Sequence, residues 1–269
     1  MIFDSHAHYD DKQFERDRLE LLLSMEEHHI GRIVNVGASL ESSRAALALA
    51  GQYDFIYAAI GVHPSDISCL EETEQKPYED GSGFQGTGLE WLKGCSKDPK
   101  VAAIGEIGLD YYWEKEPANQ ELQKKWFVRQ LQLARECSLP VIIHSRDAAA
   151  DTMELMKEHG AGIPGVIHCY SYAKEMALEY VNMGYYIGVG GVVTFKNARK
   201  LIETVEAIPL ERIVIETDCP YLAPEPYRGK RNSSLYLPYV VERIAELKGV
   251  TVRQVEEATW ENACKLYRL

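Results

Sequence analysis

Two histidines separated by one alanine close the first apolar run of the chain, Met1-Ile-Phe-Asp-Ser-His-Ala-His8. In an extended strand residues i and i+2 point to one side, so His6 and His8 present two imidazoles to a single point, as ligands of a metal ion do. Asp4 shares that side but sits deeper, where a carboxylate orients a ligand rather than binds the ion. Taken alone, His-x-His reads equally well as a pair of surface or core histidines, so the remaining ligands must come from elsewhere in the chain.

They recur at the ends of later apolar runs. His63 follows the third run in Gly61-Val-His-Pro64, Glu106 and Asp110 follow the fourth, and His144, Arg146 and Asp147 the fifth. His168 follows the sixth, and Glu216 and Asp218 the last. The runs themselves, Ile2 to Asp4, Arg32 to Val36, Phe55 to Ile60, Val101 to Ile104, Val141 to Ile143, Gly165 to Ile167, Tyr185 to Val189 and Arg212 to Ile215, have strand length. Segments with helical spacing separate them: Arg16 to His29, Ser42 to Gly51, Gln120 to Cys137, Ala148 to His159, Ala173 to Met183 and Asn197 to Ala207, with Leu237 to Lys248 and Thr251 to Tyr267 after the last. About eight strands alternating with helices predict an α/β fold with a parallel sheet, a TIM-like (β/α)8 barrel, whose active site forms where strands end. A lone histidine at a strand end, or an aspartate in a turn, has ordinary structural uses. Six such positions at the same end of successive strands point to one site. His28, His29 and His159 fall in or at the ends of helical segments and are read as surface residues.

The composition is that of an ordinary globular chain of 269 residues, expected as one domain over 1–269. No apolar run approaches the length of a membrane span and Met1 leads directly into a strand, so a cytoplasmic protein is expected. Six scattered cysteines without a C-x-x-C pair fit reduced thiols. A net charge of -12 repels polyanions at long range, so any nucleic-acid contact must be local. The basic cluster Arg228-Gly-Lys-Arg231 follows the last ligand candidate and can supply that contact, or it can be a solvated loop. Lys76 to Gly88, rich in glycine and polar residues, is expected as a mobile surface loop.

Asp4-Ser-His-Ala-His8, Gly61-Val-His-Pro64, Ala103-Ile-Gly-Glu-Ile-Gly-Leu-Asp-Tyr-Tyr112, Pro140-Val-Ile-Ile-His-Ser-Arg-Asp-Ala148 and Glu216-Thr-Asp-Cys-Pro-Tyr-Leu222 occur in this order along the chain. Together they resemble the TatD family of metal-dependent deoxyribonucleases, within the amidohydrolase superfamily. The resemblance implies a TIM-like barrel with two, sometimes three, divalent ions. His6, His8 and Asp218 would bind the first ion, His144 and His168 the second, and Glu106 would bridge them. It also implies a nuclease of the 3'-5' exonuclease type acting on single-stranded or damaged DNA. The family's usual Cys-Phe-Ser-Gly after the sixth strand reads Cys169-Tyr-Ser-Tyr172 here, and its Asn-Glu-Pro reads Asn232-Ser-Ser234. Neither departure removes a ligand; both bear on substrate preference.

Mixed histidine and carboxylate ligands suit zinc, manganese or nickel better than magnesium. Two such ions can generate a hydroxide at neutral pH and clamp a phosphodiester. Asp218 is then ligand and general base, and His63 and Arg146 can bind nonbridging phosphate oxygens. Arg146 reads equally as the partner of a neighbouring carboxylate. Tyr111, Tyr112 and Trp113 can stack on unpaired bases or simply pack. An amidohydrolase-like enzyme acting on a small amide, lactone or phosphoester is the alternative within enzymes. A non-catalytic metal-binding scaffold predicts loss of a ligand, and the whole set is present.

Overall fold

In the computed structural model, which describes Met1–Leu269, the apolar runs form strands and the periodic segments form helices. In chain order these are β1 (Ile2–Ala7), α1 (Arg18–Leu23), β2 (Ile30–Val36), α2 (Leu40–Ala50), β3 (Ile56–Ile60), α3 (Ser68–Gln75), β4 (Tyr78–Glu79), β5 (Gln85–Gly86), α4 (Gly88–Cys95) and β6 (Val101–Asp110). There follow α5 (Pro117–Cys137), β7 (Val141–Arg146), α6 (Ala149–His159), β8 (Gly165–Ile167), α7 (Lys174–Asn182), β9 (Tyr186–Val189), α8 (Arg199–Ala207), β10 (Ile213–Ile215), α9 (Leu237–Lys248) and α10 (Val252–Tyr267). Eight strands lie in one sheet in sequence order, β1-β2-β3-β6-β7-β8-β9-β10, while β4 and β5 form a separate hairpin. A parallel bridge between Ala7 and Cys219, just beyond β10, returns the last strand to the first. This is the TIM-like (β/α)8 class. No helix is long and apolar enough to cross a membrane.

The chain divides into two compact units, each made of separate segments. The first comprises Met1–Asn35, Tyr53–Tyr57 and Val166–Leu269. Here β1 is buried along its whole length and pairs with β2, Asp4 opposite Ile33 and Ala7 opposite Asn35. Parallel pairing of β9 with β10 sets Ile187 opposite Ile213. Helix α10 begins at a capping box in which Thr251 and Gln254 satisfy each other's backbone N–H groups. It brings Trp260 and Tyr267 to within 5.8 and 5.9 Å of the Phe3 ring. The Tyr267 hydroxyl donates to the Ser5 carbonyl at 2.9 Å, which fixes helix to strand beside His6.

The second unit comprises Val36–Gln52 and Ala58–Gly165. Its centre is β6, ten residues long and buried throughout, paired with β3 on one side and β7 on the other. Helix α5 starts with Pro117, whose fixed φ suits a first turn, and buries Trp126, Phe127, Leu131 and Ala134. Two glutamines of its buried face close the strand ends. Gln130 accepts from the Val62 N–H at 2.8 Å and donates to its carbonyl at 3.0 Å; Gln123 does the same for Asp110 at 2.9 and 3.2 Å. The backbones next to His63 and at Asp110 are thereby held by a helix.

Three strands run further than their apolar patterns predict: β1 to Ala7 instead of Asp4, β6 to Asp110 instead of Ile104, and β7 to Arg146 instead of Ile143. The extension of β6 beside β7 depends on Gly108, φ +146°, where a Cβ would stand 1.9 Å from the His144 carbonyl oxygen. The first helical segment is shorter than expected. It ends at Leu23, a 3-10 turn spans Glu26–His28, and His29 takes a left-handed conformation while the Ile30 N–H returns to the Met25 carbonyl. Lys76 to Gly88, expected as a mobile surface loop, carries the β4–β5 hairpin, with Tyr78 opposite Gly86. Asp80 pins it, accepting from the Ser82 N–H and hydroxyl and from the Trp91 indole.

Candidate metal centre

In the first unit, the end of β1 and the residue after it bring the His6 and His8 Nε2 atoms to 3.0 Å from each other. Asp218 follows β10 in a left-handed conformation, φ 55°; its N–H donates to the His6 carbonyl at 2.9 Å. Its Oδ1 lies 3.4 Å from His8 Nε2, 3.8 Å from His6 Nε2 and 3.8 Å from His168 Nε2. The His168 ring stacks on that of His6, centroids 3.6 Å apart. Ligand atoms about 2.0–2.1 Å from a tetrahedral ion stand roughly 3.3–3.4 Å from one another. The Nε2 atoms of His6 and His8 and the Oδ1 of Asp218, 3.0, 3.4 and 3.8 Å apart, are thus spaced as ligands of a single coordination sphere, and the donor set fits a borderline divalent cation.

Carboxylates behind these side chains set their orientation. Glu216 Oε1 lies 3.1 Å from His168 Nδ1, which turns Nε2 towards Asp218; it also accepts from the Cys169 N–H at 2.6 Å. Gly188 makes room for it, because a Cβ there would stand 2.5 Å from Glu216 Oε2. Asp4 is fully buried and accepts from the Thr217 hydroxyl and N–H at 2.7 and 3.0 Å, from the Ser234 hydroxyl at 2.6 Å and from the His6 N–H at 3.3 Å. One carboxylate therefore ties the backbone at His6 to the residue preceding Asp218. Burial pushes the Asp4 carboxyl up to about 7, against these hydrogen bonds. Burial acts on Asp218 in the same direction, but the hydrogen bond from His8 and the neighbouring His168 and His6 outweigh it and hold that carboxyl below its usual range.

A second group lies within the second unit. On β6, Glu106 and Asp110 flank Gly108, which is opposite His144 on β7. The two carboxylates hold the two ring nitrogens of His144, Glu106 Oε1 at 2.7 Å from Nδ1 and Asp110 Oδ2 at 3.1 Å from Nε2. The His63 Nδ1 accepts from the Ser65 N–H at 3.1 Å, and Nε2 stands 3.8 Å from Glu106 Oε1. His63, Asp110 and His144 form one group able to hold a metal ion; in the first unit His6, His168 and Glu216 form another, as do His168, Cys169 and Asp218.

The expected substrate residues fare differently. Arg146 is exposed and lies over the Tyr112 ring, 3.9 Å from its centroid. Arg228 is exposed and lies over Phe195 at 4.3 Å, and Lys230 is exposed. Arg231, expected to touch substrate, is held by Asp17 through two hydrogen bonds and donates to the Gln13 carbonyl at 2.7 Å. Its guanidinium fork faces the protein. Asp110 and Glu216 belong to the strand-end motifs but receive no role from sequence alone; their closeness in sequence to Glu106 and Asp218, four and two residues, is the signal that marks them.

Fold and site together define a (β/α)8 protein with histidine–carboxylate clusters at strand ends, the arrangement of metal-dependent hydrolases. Residues 3–268 match the family model described as TatD related DNase. The chain belongs to the TatD family of metal-dependent hydrolases. It is 44% identical over 270 residues to the uncharacterized metal-dependent hydrolase YabD of Bacillus subtilis, covering 100% of both chains. It is 33% identical to the uncharacterized metal-dependent hydrolase YcfH of Escherichia coli K12, covering 100% of this chain and 96% of that one. Among solved structures it is similar to YjjV, a TatD homolog of Escherichia coli, with TM-score 0.86 and 30% identity over 100% of this chain and 98% of that one.

Proposed function

We propose that residues 1–269 form one TatD-like hydrolase domain that cleaves phosphodiester bonds of single-stranded or damaged DNA, as a deoxyribonuclease of the 3'-5' exonuclease type. The observation that carries the reading is the spacing of His6, His8 and Asp218, which is that of ligands of one divalent ion. His144 and His168 are the proposed ligands of a second ion and Glu106 the proposed bridge, its carboxylate 2.7 Å from His144 Nδ1. Zinc, manganese or nickel fits these donors better than magnesium. When bound, such ions lower the pKa of a water from about 15.7 to near 7 and polarise the phosphoryl oxygens. Asp218 takes the proton of the attacking water and passes it to the leaving oxygen, while His63 and Arg146 bind nonbridging oxygens. The description of the matching family as a DNase supports DNA as substrate, and six free cysteines fit a cytoplasmic protein.

The net charge of -12 and the commitment of Arg231 to Asp17 favour a second reading, hydrolysis of a small amide, lactone or phosphoester. End-labelled single strands and a panel of lactones and amides, each assayed with added zinc or manganese, separate the two. Stepwise shortening of the labelled strands is expected. Turnover of lactones or amides with intact strands would replace the nuclease reading by the second.

A further inference from the structure

Trp113 is 71% exposed and Tyr112 44%. Aromatic rings placed for packing lose most of their surface, so Trp113 contributes little to the core. Both residues are nevertheless held in place. Asp110 Oδ1 accepts from the Tyr112 N–H at 2.9 Å and from the Trp113 N–H at 3.0 Å, while its Oδ2 faces His144 Nε2. A single carboxylate thus links the aromatic turn to a metal-ligand candidate. The two rings meet edge to face, centroids 4.8 Å apart at 88°, and Arg146 covers Tyr112 and lies 5.7 Å from Trp113.

Beside Trp113 is a cavity of about 310 Å³ between the turn after β3 and the start of α5, lined by Pro64, Ile67, Leu122, Asp110 and Glu114 among others. This volume is at the lower end of the range for small-molecule sites. Its apolar side chains and the indole suit a flat ring. Its carboxylates repel phosphate, and the one not already engaged by the aromatic turn and His144, Glu114, accepts hydrogen bonds from N–H groups. Glu114 keeps acceptor capacity beyond the Glu116 N–H and the Asn119 amide it already serves. The guanidinium of Arg146, close to the same aromatic turn, offers the complementary site for an anion.

We propose that this cavity takes one unpaired nucleobase of the substrate strand, stacked on Trp113, with the attached phosphate drawn to Arg146. The inference rests on the phosphodiester reading and names how the strand is positioned for it. A paired base cannot enter such a slot without leaving its partner and its stack, which gives the protein a physical reason to act on single-stranded ends.

The probe is 2-aminopurine deoxyribonucleotide, whose fluorescence falls when the base stacks. Stacking on an aromatic ring contributes about 1–3 kcal/mol per base, so Trp113→Ala should weaken its binding about 5- to 150-fold, and Trp113→Phe should restore most of the affinity. With oligonucleotides Trp113→Ala should raise KM by a similar factor and change kcat little, a split that general loss of structure would not produce. Equal affinity for the nucleotide in wild type and Trp113→Ala, together with unchanged KM, overturns the proposal even if strands are cleaved. Trp113-dependent nucleotide binding in a protein that leaves strands intact upholds the base site and removes the hydrolytic reading instead.

Discussion

Asp17 takes both arms of the Arg231 guanidinium, Oδ1 accepting at 2.7 Å and Oδ2 at 2.5 Å, and Arg231 also lies over the Phe14 ring at 4.7 Å. The bidentate pair joins the loop after β10 to the start of α1. It also divides a basic cluster that looks uniform in sequence: Arg228 and Lys230 are exposed and Arg231 is engaged. For binding of a single strand, each phosphate that is no longer neutralised should reduce the log-log salt slope by about 0.7. Replacing Arg228 and Lys230 by Ala should therefore flatten the slope by about 1.4. Arg231→Ala should leave it unchanged and cost stability, about 1 kcal/mol or less for a half-exposed pair. A salt slope that responds to Arg231→Ala by itself would return that residue to the substrate side.

The metal ligands proposed in the first unit can be tested without any assay of activity. His6→Ala with His8→Ala removes two of three atoms spaced for one ion, so elemental analysis should show loss of bound metal. Far-ultraviolet circular dichroism should show the helices retained. Unchanged metal content would remove both residues from the ligand set.

The hairpin between β3 and β6 carries a pH signature. Hydrogen bonds from the Ser82 hydroxyl and N–H, with the Trp91 indole, hold the Asp80 carboxyl down at about 2, below its unfolded value near 3.9. A depressed carboxylate contributes stability that is present above the unfolded value and lost as pH falls through the folded one. A carboxyl-carbon titration should find Asp80 still ionised at about pH 3, with the Trp91 indole proton unshifted from about pH 5 down to that point. Titration near 3.9 would show that these hydrogen bonds do not hold in solution.

Much of the site is legible in residue types alone. His6 and His8 are two apart on a strand, and His63, His144, His168 and Asp218 each follow an apolar run. The reach of the strands is less legible: an apolar pattern stops at Gly105 and Gly108, yet β6 continues because glycine admits the His144 backbone. Without that extension Asp110 has no visible reason to face His144. Arg231 is out of reach for another cause, since its partner is 214 residues away and nothing local marks the pair. The elements β4, β5 and α4 are obscured by glycine-rich composition, although Thr87 and Glu90 spell a capping box that starts α4.

Asp218 is the residue on which coordination and proton transfer are proposed to meet, so a substitution that separates them is the most direct test of mechanism. Asp218→Asn keeps the size of the side chain and one oxygen able to reach the positions now 3.4 Å from His8 and 3.8 Å from His6 and His168. The amide cannot take up a proton. The kcat for strand cleavage should fall by roughly 10² or more. The affinity for uncleaved strand should be largely kept, because the groups proposed to hold phosphate and base, Arg146, Arg228, Lys230 and Trp113, are untouched. Measuring bound metal in the same preparation separates the two roles: a large fall in kcat with metal retained assigns Asp218 as the base, whereas loss of both limits it to coordination. Full activity with metal retained would give the proton transfer to another group.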